Sequence, residues 1–350
     1  MVTLNIKNKI IGENFPVFIV AELSANHNQS FDLAVKTIKA AKEAGADAIK
    51  LQTYTPDTLT VDSEEDLFRL QHGTLWDGKT LYKLYQEAFT PWEWHQELKK
   101  VAEEEGLIFF STPFDKTAVD FLEKIGVPVY KVASLEITDI PLIEYIASKG
   151  KPIIISSGIA TIDDLNEAVN ACKRMGNDQI AILKCVSSYP TPLEEVNLST
   201  IPDIAKRFNV VSGLSDHTLG IAVPVASISL GAKIIEKHLI LDKKIGGPDA
   251  VFSLDFNEFK AMVKSIREAE KAIGTISYEL TASMKVNRTF ARSLFVVEKL
   301  KKGEVFTEKN VRSIRPGNGL PPKHLKEIIG KKAIQDINKN TPLRWDLVEK

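Results

Sequence analysis

The sequence predicts an α/β fold: a (β/α)8 TIM barrel followed by a small second domain. Three observations carry that prediction. The chain has 350 residues, more than one ordinary domain needs. Over about the first 275 residues a short β-branched run followed by a longer segment of helical hydrophobic period recurs eight times. After residue 273 the pattern changes to short runs separated by Pro/Gly-rich turns. Eight strand-helix units in that length suit a closed barrel better than an open doubly wound sheet. A composition of 44% hydrophobic and 26% charged residues leaves enough apolar material for a large core and excludes a structureless chain.

In order, the strands are expected at 17–22, 48–52, 107–112, 129–132, 152–156, 180–185, 210–215 and 234–238. The clearest helices are expected at 31–44, 92–105, 162–175 and 256–273. Ser30 and Thr161 are placed to cap the N-termini of two of them, and Gly45, Gly106 and Gly176 to end three. The stretch 53–91 is too long for a plain connection and carries Tyr54, Trp76, Tyr82 and Tyr85, so it reads as a functional loop with short helices over the barrel mouth. The domains are read as a barrel over 1–280, a basic linker over 281–291 and a strand-rich domain over 292–350. A domain of about 60 residues is expected to bury little core by itself and to lean on the barrel or a neighbouring subunit.

A formal net charge of −1 provides no long-range field for polyanions, so nucleic acid is not an expected partner. The two cysteines, Cys172 and Cys185, cannot build a disulfide framework, which points to a reducing, cytoplasmic compartment. Residues 1–9 lack the profile of a signal peptide, and the longest apolar stretch, 219–232, is too short to cross a bilayer. Small-molecule chemistry is the expectation that remains.

In such a barrel the chemistry sits at the C-terminal strand ends. Here those ends carry Glu22, Lys50 with Gln52, Thr112, Lys131 with Ser134, Ser156, Lys184 with Ser187, Ser215 with His217, and Glu236 with His238. Residues two apart on a strand face the same way, so Lys50 with Gln52, Ser215 with His217, and Glu236 with His238 are aimed into one cavity. His217 and His238, with Glu22 and Glu236 nearby, could ligate an open divalent site (Mn2+, Mg2+ or Co2+) completed by water and substrate; the alternative is two core histidines bonded to backbone. Lys50 and Lys131, with Ser134, Ser156, Ser187 and Ser215, form a cation-and-hydroxyl set suited to a phosphate dianion and a carboxylate. No glycine-loop nucleotide motif is present. His95 is expected on a helix surface, and His27 either as a loop hydrogen-bonder or as a substrate contact. Lys131 also leaves open a Schiff-base aldolase.

The same residues carry a resemblance. ELSANHN at 22–28, KLQTY at 50–54, STPF at 111–114, KVAS at 131–134, YPTP at 189–192, GLSDHT at 213–218 and EKH at 236–238 resemble the sialic acid synthase family, and 292–316 with the 319–321 turn resembles its C-terminal antifreeze-like (SAF) domain. The resemblance implies condensation of phosphoenolpyruvate with an amino-sugar aldehyde. It implies Lys50, Thr112, Lys131, Ser134, Ser156, Ser187 and Ser215 on phosphoenolpyruvate, and Gln52, Tyr189, Glu236 and Asp249 on the sugar side. Glu22, His217, Glu236 and Asp249 would be the catalytic set, and Arg315 would reach the sugar across a domain-swapped homodimer. Two positions depart from the family pattern: Ser187 stands where an asparagine is usual, and Ala250 and Val251 replace a polar pair. The second departure, with segments such as 55–60 and 90–95, implies a 6-deoxy-diacetamido sugar, with other sugars of the family as the competing substrates.

Overall fold

Residues 2–71 and 73–350 are described by a computed structural model. The chain forms two compact units, the first ending at Gly274 and the second beginning at Thr275.

The first unit opens with an antiparallel hairpin, β1 (Thr3–Ile6) and β2 (Lys9–Gly12), which the barrel reading did not include. Its alternation places Leu4, Ile6 and Ile11 on one buried face. Eight parallel strands then close a barrel: β3 (Phe18–Glu22), β4 (Ala48–Thr53), β5 (Ile108–Pro113), β6 (Tyr130–Val132), β7 (Ile153–Ser156), β8 (Ile180–Lys184), β9 (Val211–Asp216) and β10 (Ile234–His238). Each lies within one residue of its expected bounds at either end. β10 pairs with β3 to close the ring, with His238 beside Glu22 and Glu22 beside Lys50.

The period of two divides each strand between two environments. Ile19, Ala21, Ile49, Leu51, Phe109, Ile155 and Ile235 face outward into one large core shared with the helices. Phe18, Val20, Ala48, Ile108, Phe110, Ile154, Ala181, Leu183, Val211 and Ile234 fill the lower lumen, where Leu4, Ile6 and Ile11 of the hairpin join them. Gly213 is required on β9, because a Cβ there would lie 2.3 Å from the Ile234 carbonyl oxygen and 2.7 Å from a Leu183 methyl. One register step further up, the inward positions become Glu22, Lys50, Ser156, Ser215 and Glu236. Apolar side chains fill the lower lumen, and the inward polar groups gather toward the C-terminal mouth.

The helices are α1 (Phe31–Ala44), α2 (Pro56–Leu59), α3 (Leu81–Ala88), α4 (His95–Glu104), α5 (Lys116–Ile125), α6 (Ile140–Ala147), α7 (Ile162–Arg174), α8 (Thr200–Phe208), α9 (Ala222–Ser229) and α10 (Phe256–Ile273). Ser30 accepts from the Leu33 amide at the start of α1, and Gly45 ends that helix at φ 93°. A reciprocal cap between Thr161 and Asp164 opens α7. Helices α2 and α3 belong to the 53–91 insertion.

The second unit contains α11 (Ala282–Arg288), inside the stretch read as a linker, then β11 (Ser293–Val296), β12 (Val311–Ile314), α12 (Leu325–Ile328) and β13 (Thr341–Pro342). β11 lies between β12 and β13, antiparallel to both. Contrary to the expectation of a poor core, the unit closes its own around Leu294, Val296, Phe306, Val311, Ile328, Leu343 and Leu347. Phe306, which lies outside any strand, is fully buried within it.

Candidate active site

The C-terminal mouth of the barrel opens into a cavity of about 330 Å³. Its floor is a network of buried charges. Lys50 Nζ lies 3.0 Å from Glu22 Oε2 and 3.0 Å from Glu236 Oε1, and the Ser215 hydroxyl donates to the same Glu236 oxygen at 3.1 Å. Lys131 donates to Ser156 Oγ at 2.6 Å and to the Val132 carbonyl at 2.9 Å. Burial raises the Glu22 pKa, with Lys50 pulling the other way. Burial would also raise Glu236, but Lys50 and Lys131 outweigh it and hold that carboxyl at about 2. Burial works against the Lys50 ammonium, yet Glu22 and Glu236 push its pKa up. For Lys131 burial wins over the attraction of Glu236 and the pKa falls to about 8. Two ammoniums facing two carboxylates leave the floor near neutrality, so an added dianion needs further positive charge nearby.

Two imidazoles stand beside this floor at the mouth. His217 and His238 have ring centroids 5.4 Å apart, and both line the cavity. His217 Nδ1 lies 3.1 Å from the Val186 carbonyl, which can only accept, so the neutral ring carries its proton there and its lone pair on Nε2. His238 Nδ1 faces Asp249 Oδ2 at 3.4 Å without a formed hydrogen bond. Among the described residues no three His, Cys, Asp or Glu side chains converge into a closed metal cage. The donor set fits an open divalent site that takes its remaining ligands from water and substrate.

Above the floor the cavity becomes apolar and aromatic. Tyr189 packs at tilted angles against His217, at 4.4 Å, and Phe252, at 5.1 Å, with Trp76 at 5.7 Å. The insertion contributes Tyr54, Leu59, Leu70, Trp76, Leu81, Leu84, Tyr85 and Ala88, opposite Phe114 and Leu135. Its aromatic content announced this role for Tyr54, Trp76 and Tyr85, whereas Tyr82 turns away to Asp57. Two histidines tie the insertion down. His27 Nε2 donates to Thr90 Oγ1 at 3.1 Å while its Nδ1 accepts from the Gln29 amide, so His27 is the loop hydrogen-bonder and does not line the cavity. His95 is not on the surface as expected. It is the first residue of α4, fully buried, with Nδ1 donating to the Pro91 carbonyl and Nε2 2.8 Å from Thr53 Oγ1. Burial lowers both rings to about 4, so they act as neutral hydrogen-bonding groups.

The structure brings most of the expected residues together. Lys50, Gln52, Lys131, Ser134, Ser156, Tyr189, Ser215, His217, Glu236, His238 and Asp249 line the cavity. Glu22 does not: it lies fully buried beneath Lys50 and Gln52, whose amide donates to it at 3.3 Å. Thr112 does not line the cavity; it is fully buried on the inward side of β5, in register with Gln52, its hydroxyl without a hydrogen-bond partner among the described residues. Ser187 lies beside Ser134 at Gly158, where a Cβ would fall 2.2 Å from Ser187 Oγ and 2.5 Å from Ser134 Oγ. The substitution pair Ala250 and Val251 does not line the cavity, and Val251 is 53% exposed. The apolar character expected of those positions comes instead from the insertion and Phe252. Sequence reasoning missed Ser24, which receives a 2.9 Å hydrogen bond from Gln52, and Glu136, which lines the apolar end with its pKa raised by burial to about 7. Glu136 lies two residues beyond Ser134, past the strand end that the search for polar groups used. A second cavity, about 400 Å³, opens beside the hairpin; Val2, Pro202, Ala205, Val211 and Leu230 line it together with Glu13, Lys206 and Lys233.

A closed (β/α)8 barrel with lysines, carboxylates and imidazoles converging on its C-terminal mouth defines a barrel enzyme. Residues 37–278 match the NeuB family and residues 291–349 match the SAF domain, and the chain belongs to the NeuB family. It is 49% identical to the pseudaminic acid synthase of Helicobacter pylori over 96% of this chain and 98% of that protein. Identity to the pseudaminic acid synthase of Campylobacter jejuni is 50%, covering 92% and 93% of the two chains. Among solved structures, the N-acetylneuraminic acid synthetase of Leptospira borgpetersenii in complex with citrate superposes with a TM-score of 0.73 at 32% identity, covering 81% of this chain and 94% of that one.

Proposed function

We propose that this chain is a pseudaminic acid synthase, condensing phosphoenolpyruvate with 2,4-diacetamido-2,4,6-trideoxy-L-altrose and water to give pseudaminic acid and phosphate. The observation that carries the reading is one cavity with a charged floor and an apolar upper wall. The floor suits a small phosphate-and-carboxylate substrate, and the wall suits a sugar bearing a methyl and two acetamido groups. Identity near one half to two synthases of this name supports the choice of sugar over that of the more distant neuraminic acid enzyme.

In this reading Lys50, Lys131, Ser134, Ser156 and Ser215 hold the carboxylate and phosphate, with Ser187 and Thr112 supporting the phosphate end. Gln52, Tyr189, Asp249 and Glu236 orient the sugar in its open aldehyde form. Carbon three of phosphoenolpyruvate attacks the aldehyde carbon, forming the new carbon–carbon bond. Carbon two becomes cationic and is captured by water, and phosphate then leaves with cleavage of its bond to carbon two; the water oxygen becomes the ketone oxygen, one of its protons going to the former aldehyde oxygen and the other leaving with phosphate. The carboxylates of Glu22, from beneath the floor, and Glu236 stabilise that cation, and Glu236, which keeps a carboxylate oxygen without a hydrogen-bond partner among the described residues, orients the water. A divalent ion on His217 and His238 (Mn2+, Mg2+ or Co2+) would supply Lewis-acid polarisation of the aldehyde oxygen and the positive charge that the balanced floor lacks.

The reading also includes a domain-swapped homodimer, with Arg315 of the second unit serving the sugar in the other subunit. Support comes from exposed apolar side chains at the start of that unit, Ile276, Tyr278, Val286 and Phe290, which water alone would cover poorly. A cytoplasmic location is supported by two cysteines that are buried and free. No helix among the described residues is long and apolar enough to cross a membrane.

Phosphate release from phosphoenolpyruvate, with the altrose sugar, its legionaminic counterpart and N-acetylmannosamine offered side by side, each with Mn2+ or with EDTA, tests the assignment. Release with the altrose sugar alone, abolished by EDTA, is expected. Release with another sugar overturns the substrate, and release in EDTA overturns the metal.

A further inference from the structure

Outside the cavity the barrel holds a second buried ion pair that the proposed reaction does not use. Lys237 and Asp216 alternate with the cavity-lining Glu236, His238, Ser215 and His217, and therefore point away from the lumen. Both are buried, at 0% and 3% exposure. Lys237 Nζ donates to Asp216 Oδ2 at 2.5 Å and also to the Thr218 carbonyl. Asp216 in turn accepts from the Thr218 amide and hydroxyl, each at 3.1 Å. The residue between them is His217, whose carbonyl accepts from the Thr191 amide at 3.1 Å.

A buried ion pair is poor evidence for stability, because desolvation offsets much of the attraction. Its geometric content is greater. Five hydrogen bonds close on three consecutive residues as the chain leaves β9, and together they fix the backbone that presents the His217 ring. Lys237 also couples two strands, since its neighbour His238 is the other imidazole of the mouth. One side chain thus sets the position of the turn after β9 from a backbone anchored on β10.

We propose that Lys237 and Asp216 are positioning residues, which hold the 216–218 turn so that the His217 and His238 rings keep their separation. The proposal rests on the synthase reading for its effect on turnover, and on geometry alone for its effect on His217.

The test is 15N-histidine NMR of the full chain, wild type against Lys237→Met, beside phosphate-release kinetics. The wild-type His217 ring is expected to show one fixed tautomer with the proton on Nδ1. In Lys237→Met that signature is expected to be lost or averaged, with kcat down about 100-fold, the scale of a misplacement near 1 Å, while the KM for phosphoenolpyruvate stays within about threefold. Lys237→Arg, which keeps the charge and donors, should recover most of kcat. Asp216→Asn/Lys237→Met removes both charges together, and it serves if the single variant does not fold. Leu122→Ala, in the core behind a different strand, should lower Tm similarly and leave the His217 signature and kcat unchanged. An unaltered His217 signature in folded Lys237 variants, or a Leu122→Ala enzyme equally impaired, overturns the proposal. A wild type without turnover but with the expected change in the His217 signature would overturn the synthase reading and leave the positioning role standing.

Discussion

The lower and upper halves of the barrel lumen are built by the same eight strands, and they differ in almost everything else. Below, Phe18, Val20, Phe110, Ile154, Leu183 and Ile234 interlock with the hairpin residues Leu4, Ile6 and Ile11. Above, Glu22, Lys50, Lys131, Ser156, Ser215 and Glu236 occupy the next inward positions and are joined by hydrogen bonds and ion pairs. One step of register along a strand takes a side chain from the apolar packing of the lower lumen to the charged floor of the cavity. The buried charges of Glu22, Lys50 and Glu236 are tolerated because they pair with one another, while Lys131 is held by the Ser156 hydroxyl and the Val132 carbonyl.

The largest test of that contrast is Lys50→Met. It removes the ammonium shared by Glu22 and Glu236 and is expected to lower phosphate release by at least about 1,000-fold, the scale of losing a group that stabilises developing charge, with far-UV circular dichroism unchanged. Retention of activity would mean that the floor does not hold the substrate. Phe110→Ala, one inward position away on the neighbouring strand, should give the opposite profile: about 3–5 kcal/mol lost in denaturant unfolding and little change in kcat at a temperature where the variant is folded. If the two variants behaved alike, the separation of roles would fail.

A pH profile sharpens the upper half alone. Lys131 has a folded pKa of about 8, below its ordinary value, because burial outweighs Glu236. The free enzyme therefore loses this charge as pH rises through 8, and KM for phosphoenolpyruvate should climb about tenfold per unit above it. At saturating substrate the bound dianion restores the charge, so kcat should stay nearly flat. The stability contribution has the opposite sense: above pH 8 and up to the unfolded pKa the unfolded chain binds more protons, so stability from this group rises with pH. A KM independent of pH would remove Lys131 from the phosphoenolpyruvate site.

The smallest effect is expected from the second unit. Residues 275–350 carry 16 Lys and Arg against 8 Asp and Glu, a basic excess hidden by the overall charge of −1. Arg315→Ala should raise the KM for the sugar about tenfold, the scale of one lost charge-assisted hydrogen bond, without altering the barrel's circular dichroism. An unchanged variant would remove the inter-subunit role.

The strands and the strand-end polar residues were legible because a parallel barrel strand has a period of two and a C-terminal end where charge is out of place. Lys50, Lys131, Glu236 and the two histidines could all be found from that rule. What the rule does not contain is depth. Glu22 and Lys50 are register partners on adjacent strands, yet Lys50 lines the cavity and Glu22 is fully buried against it. His95 defeated a reading from helical position alone, since its burial depends on Thr53 and the Pro91 carbonyl, which converge on it only once the insertion has folded back. Residues 3–12 alternate as a hairpin does, but nothing local says that their apolar face joins the lumen of a barrel.

The mechanism makes water attack carbon two and never phosphorus. The most direct measurement is the reaction run in 18O-enriched water with phosphoenolpyruvate and the altrose sugar, followed by mass analysis of the released phosphate. Phosphate free of 18O is expected, because the oxygen that bridged carbon two and phosphorus leaves with the phosphoryl group. Phosphate carrying one 18O would show hydrolysis at phosphorus and contradict the condensing chemistry assigned to the upper lumen.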